Sequence, residues 1–283
     1  MVIRDLVHRI ERLDVLDPVG DWLGGALAPL LSGRLKDVLS GSWLGHPLHP
    51  VLTDLPIGAL TASTLVDVLG GAEGGSVADT LTLIGLASVA PTALAGLSDW
   101  TDTVGEERRL GLIHALANAG SSALYAAAFL SRRGGSRGAS RLFSLAGLAV
   151  LSASGYIGGH LVLARGIGVD HTVFDEAPSD WTAVADETEL GEDTPHVADA
   201  GGYAVFLYRH AGTVYALADR CTHAGGPLHE GEVDADLCVT CPWHGSAFRL
   251  ADGSVVRGPA SAPEPAFDTR VNDGRVEVRL RAR

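Results

Sequence analysis

The strongest constraint on this chain is the absence of charge from two long apolar runs. Residues 110–131 and 142–164 contain no Asp, Glu, Lys or Arg, and each reaches the roughly 20 residues that a helix needs to cross the hydrocarbon core of a bilayer. Two further apolar stretches precede them: 80–98 is uncharged, and 51–69 carries Asp54 and Asp67. All four are rich in Gly, Ala, Ser and Thr, small enough to let helix backbones approach where lipid gives no hydrophobic drive for association. A soluble bundle would show polar faces at a period of 3.6 residues, and the third and fourth runs show almost none. The expectation is a four-helix transmembrane bundle.

Charge separates this part from the rest. Residues 1–170 hold 15 acidic and 12 basic side chains, whereas 171–283 hold 19 and 9. An acidic domain of that kind repels nucleic-acid phosphates instead of neutralising them, which excludes nucleic acid as a partner. The cysteines, Cys221, Cys238 and Cys241, all fall within one stretch of the acidic part, the usage of a metal site and not of a disulfide framework. Residues 1–45 form an amphipathic N-terminal region, with an interfacial helix expected over 26–39. Residues 1–12 alternate charged and apolar side chains and lack the unbroken apolar core of a cleavable signal peptide.

Residues 169–180 read as a linker, acidic and polar with Pro178, and open onto a second domain at 181–283. Its short β-type runs, at 204–208, 213–219, 247–249, 266–271 and 275–280, are separated by turn signals such as Ala251-Asp252-Gly253 and Asn272-Asp273-Gly274. About a hundred residues of such strands make a small antiparallel sandwich or barrel. The fold class is therefore α+β and multidomain: a helical membrane domain over 46–168, then an all-β domain.

Two loops interrupt the β domain. One reads Cys221-Thr222-His223-Ala224-Gly225-Gly226-Pro227-Leu228, the other Cys241-Pro242-Trp243-His244-Gly245-Ser246-Ala247-Phe248. The pattern, Cys-x-His, 17 residues, then Cys-x2-His, resembles the Rieske iron-sulfur family over the whole C-terminal domain. That resemblance implies a [2Fe-2S] cluster whose one iron is held by the thiolates of Cys221 and Cys241 and whose other iron is held by the neutral imidazoles of His223 and His244. Replacing charged ligands by imidazoles raises the potential above that of an all-cysteine cluster. Gly225, Gly226 and Gly245 allow tight loops whose N–H groups face the bridging sulfides. Leu228 and the proline-containing stretch 258–265 shield the cluster from water. The alternative is a structural zinc site using the same four residues, or Cys238-x2-Cys241 with Cys221 and a histidine. Mixed Cys-x-His arms do not resemble common zinc hairpins. Cys238 has no place in the family's pattern and reads as a buried structural thiol.

The departures from high-potential members bear on redox behaviour. Respiratory Rieske proteins carry a disulfide-forming cysteine in each loop, and here those positions are Gly226 and Trp243. Ser246 matches the serine that donates a hydrogen bond to a bridging sulfur, whereas Phe248 stands where those proteins have a tyrosine hydroxyl. One contact that favours the reduced cluster is kept and one is missing, so the potential is expected in the lower half of the family's span of about −150 to +300 mV. Rieske ferredoxins are the nearer analogue. Ring-hydroxylating oxygenases follow this domain with a mononuclear-iron catalytic domain, and with the sequence ending at Arg283 a self-contained oxygenase is not expected.

The membrane part carries histidines of its own. Residues 46–58 begin His46-Pro47-Leu48-His49-Pro50, and the later runs carry Asp99, His114 and His160. This pattern resembles a bacterial family of four-helix membrane domains, over about residues 45–168, which supplies a topology and no agreed activity. Because consecutive helices alternate in direction, His46, His49, Asp99, His114 and His160 are expected at one membrane face. His114 and His160 lie about 6 Å deep at 1.5 Å per residue. Those residues are read as ligands of haem b or of another metal, as a quinone or proton site, or as structural polar groups.

The function expected is one-electron transfer by a membrane-anchored Rieske protein, between a membrane donor, haem or quinol, and a redox partner protein. The alternative is a haem-linked quinol oxidoreductase whose bundle binds the substrate. The location is the cell membrane, multi-pass and in contact with lipid. The basic residues at the two faces nearly balance under the positive-inside rule. Arg132-Arg133 ahead of an apolar helix resembles an internal twin-arginine signal, which tips the expectation to an extracytoplasmic Rieske domain.

Overall fold

The structure is a computed structural model that describes residues 2–71 and 74–282. The chain divides into two units: residues up to 35 with 48–167, and residues 36–47 with those from 168 onward.

The second unit is built from antiparallel strands: β1 (Thr182–Asp186), β2 (His196–Asp199), β3 (Ala204–His210), β4 (Thr213–Ala218), β5 (Glu232–Val233), β6 (Cys238–Thr240), β7 (Ala247–Arg249), β8 (Val255–Arg257), β9 (Phe267–Asn272) and β10 (Arg275–Leu280). They form sheets in the orders β1-β10-β9, β2-β3-β4 and β5-β6-β7-β8. The β9–β10 hairpin turns at Asp273 and Gly274, both at positive φ, as a tight type I′ connection requires. Strand β3 is buried on both faces because it separates two cores. Val205 and Leu207 face one core with Val276 and Val278, while Phe206 and Tyr208 face another with Leu217, Phe248 and the two loop cysteines, Cys221 and Cys241. The period of two along a strand thus assigns alternate residues to support and to site.

Five strands match the expected runs. The shorter ones escape sequence patterning: β5, β6 and β8 span two or three residues each, and β1 carries a register irregularity between Ala183 and Ala185 that breaks alternation.

The first unit is helical. Its elements are α1 (Val2–Glu11), α2 (Asp17–Leu27), α3 (Gly33–Ser40, shared with the second unit), α4 (Leu48–Leu69), α5 (Gly75–Trp100), α6 (Gly105–Arg133) and α7 (Arg137–Leu163). In place of the one helix expected over 26–39, α2 ends before Pro29 and α3 begins at Gly33, which sits at positive φ. Proline disfavours helix in the residue ahead of it and cannot continue the hydrogen-bond ladder. The four apolar runs are four helices, each longer than its run. Among the described residues, α4, α5 and α7 are long and apolar enough to cross a membrane. Helix α6 is as long but is diluted by His114, Asn118, Ser121 and Ser122. Acidic Glu106 and Glu107 in its first turn and Arg132 and Arg133 in its last complement the helix dipole.

Helix α4 packs along α5 and α7, and α6 along α5 and α7. The packing inverts the pattern of a soluble bundle. Ser63, Thr64, Thr82, Ser121, Ser140, Ser144 and Ser154 are buried, while Val51, Leu55, Leu65, Leu83, Leu94, Leu116, Leu142 and Leu145 are exposed. Interhelical hydrogen bonds take the place of an apolar core: Ser63 to Thr82 at 2.7 Å, Thr64 to Tyr125 at 2.8 Å, and Ser121 Oγ donating to Gly147 O at 2.9 Å. Such bonding suits helices whose outer surface meets hydrocarbon.

At one end of these helices Arg132 is nearly buried between carboxylates from two elements. It donates to Asp67 Oδ2 of α4 and Asp79 Oδ1 of α5, both at 2.8 Å, and to Thr82 Oγ1 at 2.7 Å. Ser140 and Ser144 of α7 donate to the same Asp67 oxygen. Arg132 and Asp67 are therefore packing residues that tie α4, α5, α6 and α7 together, a role that the twin-arginine resemblance of Arg132-Arg133 does not suggest. Breaking a buried ion pair by removing one partner leaves the other charge uncompensated. Arg132→Ala is expected to cost about 3–5 kcal/mol, measured as the shift in unfolding by sodium dodecyl sulfate in mixed micelles. A cost under about 1 kcal/mol, the range of an exposed pair, would show that the network holds nothing together.

Candidate metal centre

The two loops of the β unit close in the same way. In the first, Cys221 N–H donates to Gly226 O at 2.9 Å and Gly225 N–H returns to Cys221 O at 2.8 Å. In the second, Cys241 N–H donates to Ser246 O at 2.8 Å and Gly245 N–H returns to Cys241 O at 3.0 Å. The fifth residue of each loop is a glycine at almost the same positive φ, 79° for Gly225 and 77° for Gly245, a conformation that glycine adopts without strain. The first loop follows β4 and the second joins β6 to β7, so both hang from strands whose inner faces share one core.

This repeat brings the ligand-type side chains together in pairs. Cys221 and Cys241 are buried in one core cluster. The His223 and His244 rings lie with centroids 5.0 Å apart and planes at 82°. The Nδ1 atom of each ring is buried, whereas each residue as a whole is half-buried. The histidines therefore form the outer edge of the site and the cysteines its floor.

The electrostatics suit neutral imidazoles and a thiol pair that loses protons stepwise. Burial, then the neighbouring His244, pulls His223 down to about 3. The neighbouring Cys241 thiol and burial raise Cys221, while the Cys221 thiol draws Cys241 down to about 7. Metal binding needs thiolate and neutral imidazole, and His223 is already in that state.

A third loop closes over both. Ala260 N–H donates to Ser246 Oγ at 2.9 Å, Thr222 Oγ donates to Ala262 O at 3.0 Å, and Thr222 N–H donates to Glu264 Oε1 at 2.6 Å. The expected shield over 258–265 thus works by hydrogen bonds to one residue of each cluster loop. Leu228 is fully buried in the same core. Glu264 is the residue that sequence reasoning passed over. Burial pushes its carboxyl well above the usual range, and its Oε2 has no hydrogen-bond partner among the described residues. The signal available was a lone acid between Pro263 and Pro265. Residues 36–47 belong to this unit too, with Asp37 Oδ1 accepting from Gly258 N–H at 2.9 Å.

Two details bear on what the site can hold. A Cβ added at Gly226 would stand 2.9 Å from Cys241 Sγ and 3.0 Å from the Trp243 ring, so that position has room for glycine alone. Among the described residues no three His, Cys, Asp or Glu side chains converge as ligands of a single ion. A single zinc would need such convergence, whereas a two-iron cluster with two ligands on each iron does not. Cys238 lies outside both loops, buried on β6 with its backbone N–H held by Asp234 Oδ1 at 2.9 Å.

A family model described as "Rieske [2Fe-2S] domain" matches residues 180–272. The ferredoxin CarAc of Metapseudomonas resinovorans is 32% identical over 99 residues, 35% of this chain and 92% of that protein. The chain belongs to the Rieske [2Fe-2S] family. The anthranilate 1,2-dioxygenase ferredoxin subunit of Burkholderia cepacia is 30% identical over 102 residues, 36% of this chain and 94% of its own length. Among solved structures, the ferredoxin of carbazole 1,9a-dioxygenase from Nocardioides aromaticivorans IC177 is 29% identical, covering 36% of this chain and 100% of its own, with a TM-score of 0.34. The Rieske domain is joined to a second match, "Predicted membrane protein (DUF2231)", over residues 45–171.

The histidines of the membrane domain divide into two groups. His49 and His114 lie together, ring centroids 6.4 Å apart. His160 instead meets Glu11 at 3.1 Å, a buried carboxylate that also holds His8 at 2.6 Å and Arg165 at 2.7 Å. Asp99 occupies the last turn of α5.

In the Rieske domain, His223→Ala and His244→Ala are each expected to abolish the electron paramagnetic resonance signal of the reduced cluster, and Gly226→Ala to lower cluster occupancy by crowding Cys241. Cys238→Ser is expected to leave the signal intact. Loss of the cluster from the Cys238 variant would overturn the division between ligand and structural thiol.

Proposed function

We propose that this protein is a membrane-anchored one-electron carrier. Cys221 and Cys241 hold one iron of its [2Fe-2S] cluster, and His223 and His244 hold the other. The observation that carries the proposal is the pair of equally closed loops, with buried cysteines and rim histidines, in a domain similar to ferredoxin subunits of dioxygenase systems. When bound, the cluster supplies reversible one-electron storage. The protein's own groups seat it, exclude water through the loop at 258–265, and leave the half-exposed imidazole edge as the route to a partner. Trp243, 56% exposed with its ring 6.4 Å from that of His244, gives this edge an apolar contact surface for a soluble redox protein.

The anchor is the helical unit, with α4 to α7 as four spans in the cell membrane and lipid around their exposed leucines. Electrons reach the cluster from a donor in that membrane, a quinol or a haem. Ser246 sets part of the potential. Its oxygen accepts from Ala260 N–H, which leaves its own hydrogen to donate to a bridging sulfide, and donation to sulfur favours the reduced, more negative state. Phe248 is buried in the core and offers no second donor.

The test is a potentiometric titration of the full chain in isolated membranes. The protein is expected to stay with the membranes through an alkaline carbonate wash and to titrate as a one-electron couple. Ser246→Ala is expected to lower the midpoint by roughly 40 mV, about 1 kcal/mol for one electron. Release by carbonate would refute the anchor, and an iron-free protein would refute the carrier.

A further inference from the structure

We infer that His49 and His114 are the two axial ligands of a haem iron held between the α4–α5 and α6–α7 hairpins. The inference concerns the helical unit alone and does not depend on the Rieske cluster.

Each hairpin builds the same device. In the first, His49 near the start of α4 places Nδ1 2.9 Å from Thr92 O of α5. In the second, His114 of α6 places Nδ1 2.9 Å from Ser154 O of α7. A carbonyl oxygen can only accept, so Nδ1 is the protonated nitrogen in both rings and Nε2 carries the lone pair. Metal-bound histidines are oriented in this way, the distal N–H tied to a carbonyl and the other nitrogen directed at the metal. Asn118 Nδ2 lies 3.0 Å from His114 Nε2. It acts there as a donor to that lone pair, an amide contact that a metal displaces.

The close fit of each ring is also repeated. Four residues beyond the accepting carbonyl stands a glycine, Gly96 after Thr92 and Gly158 after Ser154. A Cβ at Gly96 would come within 2.7 Å of the His49 ring, and one at Gly158 within 2.9 Å of the His114 ring. Both imidazoles are thus clamped between a carbonyl and bare backbone, and the two clamps converge. The ring centroids are 6.4 Å apart with planes at 88°. With a metal–nitrogen bond of about 2.0 Å and roughly 1.15 Å from ring atom to ring centre, two imidazoles trans on one metal have centroids about 6.3 Å apart.

Ligand count selects the kind of metal centre. Among the described residues no third His, Cys, Asp or Glu joins this pair to hold an ion, and a bare zinc or copper site asks for at least three protein donors. An iron porphyrin brings four equatorial nitrogens and needs two axial ligands. The buried interhelical hydroxyls of this unit close on each other or on carbonyls, and Arg132 is matched by Asp67 and Asp79; intramembrane ionisable residues mark function. His160, committed to Glu11, is not part of the site.

The experiment uses the full chain, produced with a haem precursor in the medium, purified in detergent and titrated with hemin. Wild type is expected to carry stoichiometric low-spin, six-coordinate haem by visible spectrum and pyridine haemochrome. His49→Ala and His114→Ala should each lower bound hemin at least about tenfold. Gly96→Ala, which pushes on the ring without removing it, should weaken binding as well, and His160→Gln should leave it unchanged. Size-exclusion profiles establish that each variant is folded independently of cluster content. The inference is overturned if folded wild type takes up no hemin, if haem persists in both histidine variants, or if zinc, nickel or copper binds the pair with equal stoichiometry in place of hemin.

Discussion

Everything the Rieske domain does depends on two loops that close by the same pair of backbone hydrogen bonds. A cluster with two ligands on each iron requires four side chains from distant parts of the sequence to arrive in fixed pairs, and flexible loops would not hold that geometry. Here each loop is locked between its cysteine and the fifth and sixth residues, with glycine at positive φ making the turn possible. The third loop then fastens to Thr222 in one and Ser246 in the other. The division of labour follows from burial: thiols on the floor of the site, imidazoles at its rim.

The helical unit solves a different problem with different means. With leucines facing outward and small hydroxyls inside, its cohesion comes from hydrogen bonds and from buried ion pairs such as those of Arg132. Lipid-exposed apolar surface contributes nothing to association when the surroundings are equally apolar. The polar groups inside are therefore structural by necessity in most positions, which is why the clamped, converging pair of His49 and His114 stands apart from them.

Much of this was legible in the sequence, for physical reasons that differ by region. The candidate cluster loops were readable because few chemistries put Cys and His at these spacings, and strands such as β9 and β10 because alternation and an Asp-Gly turn are local signals. The apolar helices were readable from length and charge. What was not readable depends on meetings between elements. Nothing local says that Arg132 turns inward to Asp67 and Asp79, or that His160 joins Glu11 while His49 joins His114. Glu264 was missed because its importance comes from the burial of a loop that carries no periodic pattern. The N-terminal region was misjudged for a local reason that could have been used: Pro29 and Gly33 interrupt what was expected as one helix.

The central claim is that two histidines and two cysteines share a [2Fe-2S] cluster in this chain. The most direct measurement is pulsed electron paramagnetic resonance of the dithionite-reduced full-length protein, with histidine nitrogens isotopically labelled. The account predicts hyperfine coupling from two inequivalent histidine nitrogens that changes on labelling. A reduced cluster with no strong histidine coupling would mean that His223 and His244 are not its ligands and would contradict it.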